Sequence, residues 1–546
     1  MLAIAKNFMN FKSFIINILK LFLKLLDFFI ILITVFTYFL VKWLKENFCN
    51  LPFNDVLFNL FMPIKGTESK TVYMFILKCI LPTITLSALI FIIKIKLIKL
   101  AKNKNNILNY KLFKKNQFFN ITIANKNLTL NLYLFNKKLD IKIKRIFILI
   151  SILLLEIFCI FKIFYNGYAT LKIDEFLKEN QQNSNFIKNN YIDPKKVKLI
   201  FPNKKRNLIY IFAESMESSY FSKKLGGNEK FNLMKPLTKL TLQNLNFSNN
   251  DKIGGACNSF GSTFTTAGIV SQTLGIPLKI SPKIVNLKQN HAHFFNNACG
   301  LGDILHNAGY KQIFLIGSDK KFGNRNSLME NHGKYEIYDY FDAKNDGTID
   351  KNYKVWWGIE DSKLFEIAKV KILELSKSPQ PFNFTMLTTN THCPEGFVEP
   401  NCKLKFEDTY SNAIYYSAKQ INDFVEWIKK QHFFKNTTIV ISGDHLSMAK
   451  KHFKTYTNKF NRTIFNLFIN NLGYPKKTKN RVFNSLDMFP TTLASLGVKI
   501  KGNRLGLGTN LFSNLKTLSE IFTIDYVNQE LKKHSNFYDI NFIYKK

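Results

Sequence analysis

At 546 residues the chain is too long for one ordinary domain and long enough to bury a large core. Its 77 Lys+Arg against 38 Asp+Glu leave a formal net charge of +39. The lysines are spread along the chain and many flank apolar runs, which suits anionic lipid head groups and fits nucleic acid poorly. Seven cysteines, none in a CxxC pattern, exclude a disulfide-scaffolded small domain.

In chain order, the apolar residues crowd the first third. Three segments reach the length of about 20 residues that a bilayer demands: 25–43, 71–93 and 146–165. An apolar stretch ahead of them, 14–23, is interrupted by Lys20 and Lys24 and reads as an interfacial helix. Residues 94–145 carry KIKLIKLAKNK, KLFKK and KKLDIKIKR, so the positive-inside rule puts them and the N-terminus in the cytoplasm. Everything after Tyr165 is then delivered to the outer side, giving a multi-pass inner-membrane protein with a periplasmic domain. In that oxidising compartment, disulfides are expected between Cys393 and Cys402, which bracket CPEGFVEPNC, and between Cys257 and Cys299.

The membrane domain is thus 1–165, and the polar stretch 166–206, with Pro194 and Pro202, reads as a linker. From 207 the pattern changes. NLIYIFAES, KQIFLIGSD, FNFTMLTTN and TTIVISGDH are apolar runs that end in polar residues, as buried parallel strands do. Helical stretches, such as 411–431, lie between them. The expected fold is α/β, a set of transmembrane helices followed by a doubly wound α/β domain over 207–515 and a C-terminal tail, 516–546.

Open parallel sheets bind ligands outside the carboxyl ends of their strands. Those ends carry Glu214, Asp319, His392 and the pair Asp444-His445. Carboxylate oxygens with imidazole nitrogens suit Zn²⁺, Mn²⁺ or a related divalent ion. Each residue alone has an ordinary explanation: an acid near a helix N-terminus, or a core histidine. Their convergence on one edge of one sheet favours a site. The segment GACNSFGSTFTTAGIVSQTLGIPL adds hydroxyls at a helix start, Ser262, Thr263, Thr265 and Thr266. Backbone N–H groups there attract phosphate, and a nearby ion acidifies a hydroxyl. Spacing does not choose among the four, and capping suits all of them equally.

IFAESMESSYF, FTTAGIVSQTLGIPL, ACGLGDILHNAGY, THCPEGF, VISGDHLSM and SLDMFPTTLASLG follow in that order. On these motifs, covering roughly 200–515, the chain resembles the phosphoglycerol transferases of the sulfatase/alkaline phosphatase superfamily. It is most similar to the phosphoglycerol transferase I branch and more distantly to lipoteichoic acid synthases. The resemblance implies that Thr265, in FTTAG, is the nucleophile and that Glu214, Thr265, Asp444 and His445 hold one divalent metal, Mn²⁺ first, with Mg²⁺ or Zn²⁺ as alternatives. It also implies that His392 acts at the phosphate or glycerol, with Arg325 and Asp319 among the substrate contacts. The implied reaction moves glycerol phosphate from phosphatidylglycerol to a periplasmic glucan or another surface acceptor, through a phospho-threonine intermediate. In one departure, a Trp expected before Asn324-Arg325 is replaced by Gly323, which bears on the glycerol pocket.

A phosphoethanolamine transferase would share the threonine, the metal and the topology, but SGDHLSM matches the phosphoglycerol branch better. A sulfatase-fold hydrolase would need a Cys or Ser in a C/S-x-P-x-R context, which the sequence lacks. A non-catalytic membrane protein is disfavoured because every expected ligand type is present.

Overall fold

The computed structural model describes residues 2–47, 53–61, 69–102, 108–114, 117–124, 127–134, 137–279, 295, 297–456 and 460–543. The chain divides into two compact units: Met1–Glu46 with Lys70–Leu171, and Asn47–Ser69 with Lys172–Lys546.

The first unit begins with one helix, Leu2–Asn47, that contains the expected 25–43 span. It runs without a break through Lys20 and Lys24, where a separate interfacial helix was expected. Lysine is a strong helix former, and both side chains here are exposed, so their charge does not interrupt the backbone. Two stretches, Ser69–Lys99 and Leu149–Thr170, are long and apolar enough to cross a membrane among the described residues. Lys94 Nζ lies 2.5 Å from Asp27 Oδ1 and 2.6 Å from Glu156 Oε2, so a single cation ties all three candidate spans. Ionisable groups set among apolar helices are costly unless paired in this way. Between the second and third spans the backbone forms a four-stranded antiparallel meander, Leu108–Lys114, Gln117–Ala124, Asn127–Leu134 and Lys137–Lys144.

The second unit is built on a seven-stranded sheet. We number its strands in chain order: β1 Asn207–Ala213, β2 Gly255–Cys257, β3 Lys311–Ile316, β4 Glu336–Tyr338, β5 Phe382–Leu387, β6 Thr437–Gly443 and β7 Thr463–Ile469. Their order in space is β2-β7-β6-β1-β5-β3-β4. Strands β6, β1, β5, β3 and β4 are parallel, and β7 and β2 extend the sheet antiparallel on one side. The four expected strands are the four adjacent central ones, so their polar ends lie along one edge.

Alternation within β1 shows why the sheet is covered on both faces. Leu208, Tyr210 and Phe212 enter one apolar cluster, Ile209, Ile211 and Ala213 the other, and all are buried. A strand wrapped on both sides has no polar face, which accounts for the unbroken apolar runs. The stretches read as linker and tail also supply core side chains. Phe186, Ile187, Leu518, Val527, Leu531, Tyr538 and Phe542 belong to the first cluster.

The expected disulfides are not formed: Cys257, Cys299, Cys393 and Cys402 all keep their thiols. Cys393 is directed into one core cluster and Cys299 into the other, each packed as a small hydrophobe, while Cys257 sits on the edge strand β2.

Candidate active site

Burial in one place brings together three of the residues expected to bind metal. Ligand atoms of Glu214, Asp444 and His445 all lie within 4.8 Å of one another, and all three side chains are buried. Glu214 follows β1 directly, and Asp444-His445 follows the neighbouring parallel strand β6, so the pairing of two strands sets the cluster. The turn after β1 depends on Ser215, which adopts a left-handed backbone (φ 52°). Its N–H donates to Asp444 Oδ1 (2.8 Å) and its hydroxyl to Glu214 Oε1 (2.8 Å). Such strain in a residue other than glycine persists where the surroundings over-determine it, and these two bonds do so.

Thr265 completes the cluster. It is the first residue of the helix Thr265–Leu274, after Phe264 in extended conformation. Its hydroxyl lies 3.3 Å from Glu214 Oε2 and 3.5 Å from His445 Nε2, and it is partly open to solvent. Of the other candidate hydroxyls, Ser262 bonds to Ser259, Thr266 donates to the Gly323 carbonyl (2.9 Å) and Thr263 donates to Asp55. Thr265 alone among the four faces the carboxylates and the imidazole.

The helix is fixed to the end of β6 by close contact. A Cβ on Gly268 would fall 2.1 Å from the Asp444 carbonyl oxygen, so only glycine lets the helix approach this loop. Gln272 Nε2 then donates to the carbonyls of Gly443 (2.8 Å) and Asp444 (3.2 Å), while Tyr210 donates to Gln272 Oε1 (2.8 Å). Gly268 and Gln272, both in the TTAGIVSQTLG run, thus hold the start of this helix, with Thr265, against the Asp444-His445 loop. Their apolar, Gly- and Ser-rich surroundings read only as helix in the sequence.

The charge balance asks for a cation. Burial pushes the Glu214 carboxyl up, but the hydrogen bond and charge of His445 outweigh it and hold the group down at about 2. Asp444 is pushed up to about 7 by burial and by the charge of Glu214. Burial opposes the imidazolium at His445, yet Asp444 and Glu214 raise it to about 10. His445 Nδ1 is 2.9 Å from the Leu446 carbonyl, so the Nδ1–H points away and Nε2 faces the carboxylates. Asp444 Oδ2 is buried with no hydrogen-bond partner among the described residues. An orphaned carboxylate oxygen, a second carboxylate, an imidazole nitrogen of fixed orientation and a hydroxyl form a donor set that fits a four-coordinate divalent ion.

The remaining predicted residues border this cluster. His392, half-buried after β5, has its ring centroid 4.1 Å from that of Trp357, edge to face. Trp357 in turn meets Phe322 at 5.3 Å, and the Arg325 guanidinium lies over Phe322 at 5.4 Å. Arg325 is buried; Nε donates to the Phe322 carbonyl (2.9 Å), and Nη2 to Ser318 Oγ (3.0 Å) and the Asp319 carbonyl (2.9 Å). Burial draws its pKa down to about 10 against the nearby Glu214 and Asp319 charges, which leaves it cationic at neutral pH. Asp319 Oδ1 accepts the Lys321 N–H (2.8 Å), shaping the turn around Arg325. Gly323 occupies the position where a tryptophan was expected. It is left-handed (φ 63°), and a Cβ there would lie 2.6 Å from Thr266 Oγ1, so a side chain at this position would force Thr266 to move; the ring beside His392 is that of Trp357.

A family model described as Sulfatase matches residues 206–498. Among curated proteins, phosphoglycerol transferase I of Shigella flexneri is 34% identical over 339 residues, covering 61% of this chain and 42% of the relative. The same protein of Salmonella choleraesuis is 34% identical over 341 residues, with the same coverage. The chain therefore spans about two-fifths of the length of the curated relatives it matches. Among solved structures, the integral membrane lipooligosaccharide phosphoethanolamine transferase A of Neisseria meningitidis is 13% identical with a TM-score of 0.48. That similarity covers 87% of this chain and 84% of the other. The lipoteichoic acid synthase LtaP of Listeria monocytogenes is 19% identical with a TM-score of 0.44, covering 58% and 79%.

Proposed function

Since the chain belongs to the sulfatase family, we propose that it is a membrane-bound phosphoglycerol transferase with Thr265 as its nucleophile. The observation that carries this reading is the hydroxyl of Thr265 at a helix start, within 3.5 Å of both Glu214 and His445. The donor in this reading is phosphatidylglycerol, in keeping with the name of the phosphoglycerol transferase I relatives, and the acceptor proposed is a periplasmic glucan or another surface acceptor. The localisation proposed is the inner membrane, with the catalytic unit periplasmic.

Glu214, Asp444, His445 and Thr265 would hold one divalent ion, Mn²⁺ in this proposal. When bound, the ion supplies a positive charge that acidifies the Thr265 hydroxyl and offsets charge on the phosphate oxygens.

In the first half-reaction Thr265, its hydroxyl proton released to solvent beforehand, attacks the phosphorus of the lipid head group through Oγ. The bond from phosphorus to the diacylglycerol oxygen breaks, and glycerophosphate remains esterified to Thr265. His392 gives a proton to the departing diacylglycerol oxygen. In the second half-reaction His392 takes the proton from an acceptor hydroxyl, whose oxygen displaces Thr265 from phosphorus. Backbone N–H groups at the start of the Thr265–Leu274 helix and the buried Arg325 cation, with Asp319 shaping its loop, stabilise the phosphate charge in both steps.

The test is incubation of the purified chain with Mn²⁺ and labelled phosphatidylglycerol, then mass spectrometry of the peptide bearing Thr265. A glycerophosphate adduct on Thr265 with release of diacylglycerol is expected. An adduct formed from phosphatidylethanolamine alone would move the assignment to the ethanolamine branch.

A further inference from the structure

Between the first two candidate spans lies a short helix, Phe53–Phe61, that belongs to the same compact unit as the active site. Leu57 packs on the core cluster that holds Tyr210 and Leu274, and the Phe53 ring meets Phe176 edge to face at 5.2 Å. The next two residues are polar and buried: Asn54 is 3% exposed and Asp55 4%. A carboxylate out of water is costly unless hydrogen bonds compensate it. Asn54 Nδ2 donates to Asp55 Oδ1 (3.3 Å), and the Thr263 hydroxyl donates to Asp55 Oδ2 in a close contact.

Thr263 stands two residues before Thr265. On the far side of the same turn, Ser262 Oγ donates to the Ser259 carbonyl (2.7 Å), and Ser259 is bonded to Ser485 (3.0 Å). The turn that delivers the nucleophile is therefore anchored at both ends: to its own unit's core through the serines, and to the inter-span helix through Asp55. The matched sulfatase region, 206–498, does not include Asp55.

We propose that Asp55 is a positioning residue for Thr265, acting through the Thr263 hydroxyl, and that the helix between the first two spans is part of the transferase site. This rests on the reading of Thr265 as the nucleophile. A displacement of about 1 Å at a reacting atom costs on the order of a hundredfold in rate. Asp55 controls the approach of Thr265, and binding of the lipid head group does not pass through it.

The experiment uses the full chain in detergent with Mn²⁺, and follows diacylglycerol release from phosphatidylglycerol by Asp55→Leu, Asp55→Asn, Thr263→Val and the Asp55→Leu/Thr263→Val double variant. Asp55→Leu is expected to lower kcat by roughly ten- to a hundredfold with KM for the lipid within about twofold. Asp55→Asn, which keeps an oxygen acceptor for Thr263, should recover most of the loss. The double variant should be no worse than Asp55→Leu, because both changes remove the same bond. Losses that multiply, an unchanged kcat in Asp55→Leu, or an asparagine variant as impaired as the leucine would overturn the proposal. Hydrogen exchange at the amides of residues 262–266 gives a readout independent of turnover: it should quicken in Asp55→Leu and in Thr263→Val. Unchanged exchange in both variants also overturns it. A wild-type chain that releases no diacylglycerol would instead overturn the phosphoglycerol transferase reading, and the exchange experiment would still decide the role of Asp55.

Discussion

Thr265 and Gly268 occupy one turn of helix and serve opposite needs. Thr265 must present a reactive oxygen, and Gly268 must present nothing at all. Replacing Thr265 by alanine removes the attacking atom while leaving the buried face of the helix intact, so turnover should fall by at least about a thousandfold with the melting temperature nearly unchanged. Thr265→Ser keeps the oxygen and should retain measurable turnover; an alanine variant as active as wild type would remove Thr265 from the mechanism. Gly268→Ala acts by displacement. Its new methyl would meet the Asp444 carbonyl at 2.1 Å, so the helix must retreat and carry Thr265 with it. We expect kcat to drop about tenfold or more, and metal affinity to weaken together with it, because Asp444 is pushed by the same contact. Equilibrium metal titration alongside turnover checks the linkage.

At the scale of elements, the segment between β6 and β7 is tied through His452 to the segment between β1 and β2 and to the start of the helix Thr409–Lys429. Its Nε2 lies 3.1 Å from Glu229 and its Nδ1 3.8 Å from Asp408, with Tyr220, Tyr410 and Phe453 rings around it. Burial disfavours the imidazolium, but the two carboxylates outweigh it and raise the folded-state pKa to about 9. A folded value above the unfolded one of about 6.5 means the protonated ring contributes stability below pH 6.5 and loses it as pH rises through 9. The contribution is roughly 3 kcal/mol at most, since Asp408 is largely exposed and screened. Melting curves of wild type and His452→Gln should therefore converge between pH 7 and 10. Curves that stay parallel would show that the ion pair contributes nothing.

The four central strands and their catalytic ends were legible in the sequence because burial on both faces leaves uninterrupted apolar runs with abrupt polar stops. The edge strands were not: Gly255–Cys257 and Glu336–Tyr338 are three residues each, too short to show a period. In β7, Asn466 is buried and bonded to the Phe247 backbone, which disguises an apolar strand as a mixed one. The strand ends offered Glu214, Asp319, His392, Asp444 and His445, whereas the choice of Glu214, Asp444 and His445 together with Thr265 came from the family resemblance. Asp55 was not legible, because its only signal is an acid in an apolar helical stretch some 200 residues from its partner Thr263.

For the molecule as a whole, the second unit buries two carboxylates and an imidazole at one point, and a bound cation would relieve the repulsion between the two carboxylates. A ligand that binds only the folded state stabilises it by about 2.7 kcal/mol at a concentration a hundred times its Kd. Chelation should accordingly lower the melting temperature of the catalytic transition by a few degrees and stop turnover, with a single divalent metal restoring both. Full activity in strong chelator would refute the metal-dependent mechanism. In Glu214→Gln, added metal should no longer raise the melting temperature.

The other unit carries its own constraint in the triad of Asp27, Lys94 and Glu156. Three residues from three apolar helices share one interaction in which two carboxylates face one ammonium, so losing Lys94 alone leaves both acids uncompensated, whereas losing one acid leaves a balanced pair. Inheritance at these positions should therefore be collective. Related chains are expected to keep Lys94 wherever both acids are kept, and to have lost both acids where Lys94 is lost. A survey of natural variants that found Lys94 replaced singly, beside two intact acids, would mean that the triad is dispensable to the membrane bundle.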